Sequence, residues 1–180
     1  MLVYRRFLMT GCCILWTFSY LPSCAQDADA AQHFAAAHQA QDVGNLDLAA
    51  REYLAVIRLL PEAAEAYASL GLVYNAQGKY AESLRALSKA DRLKPGLPGV
   101  NLYLGIDYEK ELQATLAVPQ LTQAVRLEPF NKQAHIWLNR ALWDEGRTQA
   151  ALEHYLEGRP YEQLFPWPEQ GLIVYLVGSK

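Results

Sequence analysis

A spacing of 34 residues constrains the fold of this chain more than any other feature of the sequence. Pro61, Pro95 and Pro129 are evenly separated, since 95 − 61 = 34 and 129 − 95 = 34. Other matching residues recur at one or two of these intervals: Gly44, Gly78 and Gly146; Leu70, Leu104 and Leu138; Ala49, Ser83, Ala117 and Ala151. A fixed period of this length indicates a row of similar units, each packed on its neighbours.

Residues 64–95 show what one unit contains. Four residues recur with helical spacing over its first half: Tyr67, Leu70, Gly71 and Tyr74. This spacing places them on one face of a helix, where the missing side chain of Gly71 lets a neighbouring helix approach closely. Gly78 favours the left-handed turn that ends a helix, and Pro95 ends a second helix. Each unit is therefore predicted to be a pair of antiparallel helices.

Eight helices follow from the same reasoning along the chain. They are predicted over 30–43, 46–59, 64–77, 80–93, 98–111, 114–127, 132–145 and 148–158. The third unit departs from the pattern, because Leu112 replaces the turn glycine and Pro119 falls inside a helix. That helix either kinks at Pro119 or begins late, with Pro119 in its first turn. We interpret both departures as drift in one unit; the alternative is a local change in curvature.

A 34-residue unit of two helices resembles the tetratricopeptide repeat (TPR). The family pattern W-x2-L-G-x2-Y, then A-x3-F, then P is matched by Tyr67-x2-Leu70-Gly71-x2-Tyr74, Ser83-x3-Leu87 and Pro95. The resemblance implies an all-α fold, a right-handed α-solenoid of about four helix-turn-helix repeats. The repeats are placed at about 30–63, 64–97, 98–131 and 132–165, within a TPR domain over 26–165.

The first 25 residues are typical of an export signal. Arg5 and Arg6 precede an apolar run over 7–21, which is short for a membrane span of about 20 residues. Ser23 and Ala25 are small residues at the two positions that a signal peptidase reads, so cleavage after Ala25 is predicted. The protein is then expected in the periplasm or outside the cell.

A lipoprotein signal is the alternative for the same segment. Residues 21–24 resemble a lipobox, in which Cys24 would be lipidated and would anchor the protein to the outer membrane. Pro22 departs from that pattern. A membrane contact is expected only in this alternative.

Composition excludes several classes of function. All three cysteines lie before residue 25, so the cleaved chain would have no disulfide and no metal thiolate. The net charge is −3, and loss of Arg5 and Arg6 makes it 14 − 19 = −5. Nucleic-acid binding usually requires a basic patch. The one local candidate lies on a second helix and is interpreted as a solvated outer face, so no nucleic-acid partner is predicted; it consists of Lys79, Arg85, Lys89, Arg92 and Lys94.

No motif for catalysis or cofactor binding occurs in the sequence. Zinc-protease, nucleophile-elbow and phosphate-loop patterns are all missing, so we predict no enzyme, no cofactor and no metal site. His33 and His135 occupy the slot of Tyr67 in their own repeats and are interpreted as packing residues. Asp107, Glu109 and Glu111 alternate along a helix and are interpreted as a solvated face.

The resemblance also suggests a binding surface, because TPR arrays bind peptides or proteins on a concave face lined by the first helix of each pair. Seven residues are predicted to form this site: Leu72, Asn75, Leu102, Ile106, Ile136, Arg140 and Trp143. The four aliphatic residues are expected to make an exposed apolar floor, edged by Arg140 and Trp143. Alternatively, they pack on the next helix or under the tail. Lys, Asn and Arg grip a peptide carboxylate in some family members, but only Asn75 and Arg140 match here.

The predicted function is a scaffold or adaptor of the cell envelope that binds a peptide or partner protein. An outer-membrane lipoprotein that assists assembly of an envelope complex, similar to a pilotin, is the alternative. Residues 166–180 form a non-repeat apolar tail. The tail is expected to cover the end of the last repeat or to meet a partner, which leaves homo-oligomerisation through it possible.

Overall fold

The computed structural model describes residues 21–157, with side chains from 26 to 154. This part of the chain forms eight α-helices and no strand. The helices are α1 (Leu21–Asp42), α2 (Leu46–Leu59), α3 (Ala64–Ala76), α4 (Tyr80–Leu93), α5 (Val100–Lys110), α6 (Ala114–Leu127), α7 (Lys132–Asp144) and α8 (Thr148–Glu157). None of these helices is long and apolar enough to cross a membrane.

Helix positions agree with the sequence prediction to within two residues at both ends of α2 to α8. The start of α1 was wrong, because this helix begins at Leu21 and not at residue 30. Ala and Gln favour a helix over this stretch, and Pro22 lies in the first turn, where proline is tolerated. Helix α1 therefore runs through the predicted cleavage point after Ala25. Most of the predicted signal and all of the tail over 166–180 lie outside the described residues.

Each helix packs on the next one in the chain, from α1 to α8. In addition, α3 packs on α5 and α5 on α7, so the first helices of successive repeats lie side by side. Sequential hairpins that contact only their neighbours form an α-solenoid, which confirms the predicted all-α repeat fold.

The core of each repeat is built from one small and one large buried residue on its second helix. The small residues are Ala49, Ser83, Ala117 and Ala151, and the large ones are Tyr53, Leu87 and Leu121. The small residues let the helices approach, and the large ones fill the space between repeats. Both sets follow the 34-residue period, so the periodic sequence specifies the packing directly.

Gly71 and Gly105 lie where this packing is tightest. A Cβ atom at Gly71 would come within 2.5 Å of Leu87 Cγ, and one at Gly105 within 2.3 Å of Leu121 Cγ. Real Cβ atoms do not approach so closely, so neither position accepts a side chain without displacing the leucine. The predicted close approach at Gly71 is confirmed.

Pro119 lies inside α6, which runs unbroken from Ala114 to Leu127. The late start considered for this helix is therefore wrong. Proline has no N–H, so the carbonyl of Thr115 loses its helical donor. Thr115 and Pro119 are both exposed, and solvent can satisfy that carbonyl.

Leu112 takes the conformation of the glycine that it replaces, with φ at 59°. Its side chain is 93% exposed, so no packing compensates for the strain of a left-handed leucine. We expect Leu112→Gly to stabilise the protein by about 1 kcal/mol. The reverse change, Gly78→Leu, should destabilise it by a similar amount, because φ at Gly78 is 73°. A Cβ atom added there would have no neighbour within 4 Å, so backbone strain is the expected cause of the loss. Urea midpoints check both, and equal midpoints for wild type and Leu112→Gly would contradict the expectation.

Candidate functional site

The predicted site residues all lie on α3, α5 and α7, whose side-by-side packing forms what we call the first-helix face. Leu72 and Asn75 lie on α3, and Leu102 and Ile106 on α5. Ile136, Arg140 and Trp143 lie on α7. Three successive repeats thus contribute to one surface.

The expected exposure of the apolar floor was wrong for its two central residues. Leu102 is 7% and Ile106 is 9% exposed, and both belong to the core between the third and fourth repeats. Trp143 packs against the same core. The cause is the contact of α5 with α7, which covers the side chains of α5. Whether these residues bind a peptide stays a prediction, but the apolar surface that remains accessible belongs to half-buried Leu72, Ile136 and Trp143.

Asp107 is fully buried, so its interpretation as part of a solvated face was wrong. Its Oδ1 accepts a hydrogen bond of 2.6 Å from Asn75 Nδ2, which joins α5 to α3. Burial raises the pKa of this carboxyl, the hydrogen bond from Asn75 opposes the rise, and the charge of Glu111 adds to it. The Ser83 hydroxyl has one proton, and in this structure it donates that proton to the Gly71 carbonyl at 2.8 Å. Asn75 is therefore the donor that holds Asp107.

Glu109 is 6% exposed, and its interpretation as solvated was wrong as well. Its Oε2 lies 3.9 Å from Arg140 Nε, and the same Nε lies 3.5 Å from Asp144 Oδ2. Burial raises the pKa of Glu109 first, the nearby Asp144 carboxylate raises it further, and Arg140 lowers it. One guanidinium thus serves two carboxyl groups on α5 and α7. Of the three alternating acids, only Glu111 is exposed as expected.

Two carboxyl oxygens on this face accept no hydrogen bond from the described residues: Asp107 Oδ2 and Glu109 Oε1. A buried acceptor without a donor is costly, and the cost is higher for an ionised group. Both carboxyl groups therefore favour protonation more than a solvated acid does, in agreement with the direction of their pKa shifts.

Sequence register could have revealed the burial of Asp107. The same slot holds Val73 one repeat earlier and Ala141 one repeat later, and both are fully buried. An acid between two buried apolar neighbours in register predicts a buried acid. Glu109 shares its slot with Asn75 and Trp143, which also face the neighbouring first helices.

Trp137 lies between two cations beside the same face. Lys110 Nζ and Arg140 Cζ are each 5.3 Å from the centre of its ring. Both distances fall within the range of a cation–π contact. Arg140 is therefore held by Trp137, Glu109 and Asp144 together, although its side chain remains 60% exposed.

Residues 26–154 contain no group of three or more histidine, cysteine, aspartate or glutamate side chains placed to hold a metal ion. Three of the four histidines take part in polar pairs across helices. His33 Nδ1 lies 2.6 Å from Glu52 Oε2, and His135 Nδ1 lies 3.2 Å from His154 Nε2.

Stacked helical hairpins with a shared core and a continuous first-helix face define a helical-repeat scaffold. The profile of the family described as Tetratricopeptide repeat matches residues 34–98 and 104–163, which is more than half of the chain. The chain belongs to the tetratricopeptide repeat family. Comparison with curated protein sequences gives no match.

Several solved structures resemble this chain. The chain is 27% identical to YrrB, described as a TPR protein with an unusual peptide-binding site, over 77% of this chain and 72% of that one, with a TM-score of 0.68. It is 28% identical to an O-GlcNAc transferase from Thermobaculum terrenum, over 65% of this chain, with a TM-score of 0.60. The match spans only 22% of that transferase.

A third structure shares the fold alone. It is the first TPR domain of Spaghetti (RPAP3), bound to the HSP90 peptide SRMEEVD. The identity is 16%, the match covers 66% of this chain and 94% of that one, and the TM-score is 0.64.

Proposed function

We propose that this protein is an interaction scaffold whose first-helix face holds a peptide or a segment of a partner protein. The observation that carries the proposal is the juxtaposition, along α7, of exposed Arg140 with half-buried Trp143 and Ile136. Half-buried Leu72 lies on α3 of the same face. Trp and Arg dominate the energy of many interfaces. Half-buried apolar side chains around them provide the surface that excludes water.

Peptide binding by similar proteins supports this proposal. YrrB is described as having a peptide-binding site, and the Spaghetti domain is bound to a peptide. The part of the transferase that matches covers too little of that enzyme to suggest transfer chemistry for this chain. We therefore propose binding without catalysis.

The internal contacts of this face favour an apolar segment over a peptide carboxylate. Asn75 donates to Asp107, and Arg140 is shared between Glu109 and Asp144. A partner's carboxylate would have to displace those acids and would be repelled by them. An apolar side chain that packs against Ile136 displaces neither of these acids.

The cell envelope is the proposed place of action, because residues 1–25 have the pattern of an export signal. Cleavage after Ala25 would leave Gln26 as the first residue. The alternative, an anchored lipoprotein that assists assembly of an envelope complex, would retain Cys24 as a lipidated first residue.

Photo-crosslinking in the native host tests whether the first-helix face binds a partner. A photoreactive amino acid is placed at Ile136 or Arg140 on the first-helix face. The control position is Arg85 on α4, whose side chain is 72% exposed. We expect one partner to be captured from the first two positions and not from Arg85. Capture from Arg85 alone would place the binding surface on the second helices.

The protein purified from the same host tests how its N-terminus is processed and whether Trp143 contributes to binding. Its intact mass distinguishes a chain that begins at Gln26 from one with a lipid on Cys24 and from an uncut chain. With the partner in hand, Trp143→Ala should weaken binding by about 2 kcal/mol, or roughly 30-fold. Ile106→Asp is unsuitable as a probe, because Ile106 is buried and its replacement would damage the core. Unchanged affinity of a folded Trp143→Ala variant would contradict the proposed surface.

A further inference from the structure

Two acids and one base meet where the third repeat touches the fourth, because α5 packs on α7 there. Glu109 comes from α5 and is 6% exposed, whereas Asp144 comes from the end of α7 and is exposed. Arg140, one turn before Asp144, forms ion pairs with both carboxyl groups. The charge state of these three residues therefore affects how closely the two repeats pack.

The guanidinium of Arg140 does not satisfy both acids. It approaches them through Nε, which carries a single hydrogen. Nε lies 3.5 Å from Asp144 Oδ2, at the limit of a hydrogen bond, and 3.9 Å from Glu109 Oε2, which is beyond that limit. Glu109 Oε1 has no donor among the described residues either. An ionised Glu109 would therefore be buried without a hydrogen bond from this part of the chain.

A proton on Glu109 would satisfy the contact. It turns one oxygen of Glu109 into a donor, and the carboxylate of Asp144 supplies the acceptor. A hydrogen bond from O–H to a carboxylate is charge-assisted and is therefore among the stronger ones. Burial raises the pKa of Glu109 first, the charge of Asp144 and the hydrogen bond with Asp144 raise it further, and Arg140 lowers it. The direction of this shift agrees with the missing donors.

Other charged groups on α5 and on the helices packed against it have other partners or lie elsewhere. On α5, Lys110 and Glu111 are exposed, and Asp107 accepts a hydrogen bond from Asn75. The rest are Glu65 paired with Lys94; Glu82 paired with Arg85; Lys89, Asp91 and Arg92 in the later half of α4; Arg126 in the last turn of α6; Lys132 and His135 at the start of α7; and Glu145 paired with Arg147 after it. Asp144 and Arg140 are therefore the charged neighbours that control the proton on Glu109.

We propose that Glu109 and Asp144 share one proton and form a pH-sensitive latch between the third and fourth repeats. With the proton in place, a hydrogen bond holds α7 against α5. When the proton leaves, a buried carboxylate without a donor faces a second carboxylate, and burial and repulsion both oppose the contact. Because the folded chain binds this proton more readily than the unfolded chain, the stability that the latch adds is present below the unfolded pKa of Glu109. It is lost as pH rises through the folded pKa.

Helices α7 and α8 should therefore loosen from α5 as pH rises. The latch goes beyond the proposed function, since it acts within the chain and needs no partner. Because α7 carries part of the first-helix face, that face would also change with pH.

Carbon-13 NMR of the side-chain carboxyl groups in the full-length chain tests the shared proton. The signal that disappears in Glu109→Gln belongs to Glu109, and we expect it to titrate above the ordinary pKa of 4.5. Asp144→Asn removes the neighbouring charge and should lower the pKa of Glu109. Glu111→Gln is the matched control, because Glu111 lies two residues further along α5 and is exposed. It should leave the titration of Glu109 nearly unchanged.

Amide hydrogen exchange, corrected for the intrinsic rate at each pH, tests the latch itself. Between pH 5 and pH 8 we expect the protection of α7 and α8 to fall relative to that of α1 and α2. The amide in Glu109→Gln can still donate to Asp144 but does not titrate, so this fall should disappear in the variant.

Three results would overturn the proposal: Glu109 titrates at or below 4.5, Asp144→Asn does not lower its pKa, or protection falls equally in Glu109→Gln and in the parent. If Glu109→Gln fails to fold, sequential assignment of the parent identifies the Glu109 signal. The response of that signal to Asp144→Asn then decides.

Discussion

Gly71→Leu is expected to destabilise the protein by about 2–4 kcal/mol, because it overfills the closest contact in the second repeat. Even a single methyl group at this position would approach Leu87 Cγ to 2.5 Å and Cδ2 to 2.6 Å. Leu87 is fully buried, so it has no free space into which to rotate. The helices α3 and α4 must therefore separate. Denaturant midpoints of folded variants measure the loss.

A double-mutant cycle separates overpacking from the general effect of a substitution. Gly71→Ala alone should cost about 1–3 kcal/mol, despite the higher helix propensity of alanine. In a Leu87→Ala background the added methyl group fills space that the leucine has vacated. The cost of Gly71→Ala should therefore fall by at least about 1 kcal/mol, within the range of coupling between contacting residues. An additive cycle would show that the contact at Gly71 is not limiting.

Arg85→Ala on α4 provides the control for this cycle. The Arg85 side chain is 72% exposed and its contact with Glu82 is 3.8 Å long. Exposed ion pairs of this kind contribute little, so the change should stay within about 0.5 kcal/mol. Gln77 is less suitable, although it lies in a turn, because it is half-buried and donates to Asp47 at 2.9 Å.

The sequence predicted the fold well because its signals are local and repeated. Helix ends depend on nearby residues such as Gly78 and Pro95, and each of these has a counterpart 34 residues away, at Gly44 and at Pro129. The large buried residues Tyr53, Leu87 and Leu121 follow the same 34-residue period. The first residue of α1 has no such counterpart in the other repeats, and its prediction was wrong.

The site was predicted less well, because it depends on how adjacent first helices cover one another. Helical geometry gives the direction of Leu102 and Ile106, but not the distance at which α7 packs over them. The 34-residue period also predicts the same environment in every repeat. Asp107 and Glu109 depart from that period, and their partners lie on α3 and α7. Contacts between repeats, and not the repeats themselves, therefore determine the part of the site that the periodicity did not predict.

The contact between Asn75 and Asp107 should have a large effect on stability that depends on pH. In the wild type, burial holds the pKa of Asp107 above its ordinary value of 3.8. The folded chain therefore binds this proton more readily than the unfolded chain does. The contribution of Asp107 to stability is fully present below the unfolded pKa and is lost as pH rises through the folded pKa.

Asn75→Ala removes the hydrogen bond that opposes this shift, so the folded pKa of Asp107 should rise further. At pH 8 the carboxylate would be buried without its donor, and we expect a loss of about 2–3 kcal/mol. At a pH below the folded pKa the carboxyl is neutral. The loss of stability caused by Asn75→Ala should then be smaller, because burying an unpaired neutral acceptor costs less free energy than burying an unpaired charge.

The same substitution in an Asp107→Asn background gives the control. The amide that this background places on α5 can still accept from Asn75 but does not titrate, so the cost of Asn75→Ala should be about 0.5–1.5 kcal/mol at every pH. Urea unfolding of the four chains between pH 4 and pH 8 measures the difference. A cost of Asn75→Ala that is the same at both ends of this range, with Asp107 intact, would show that the buried carboxyl does not titrate with folding.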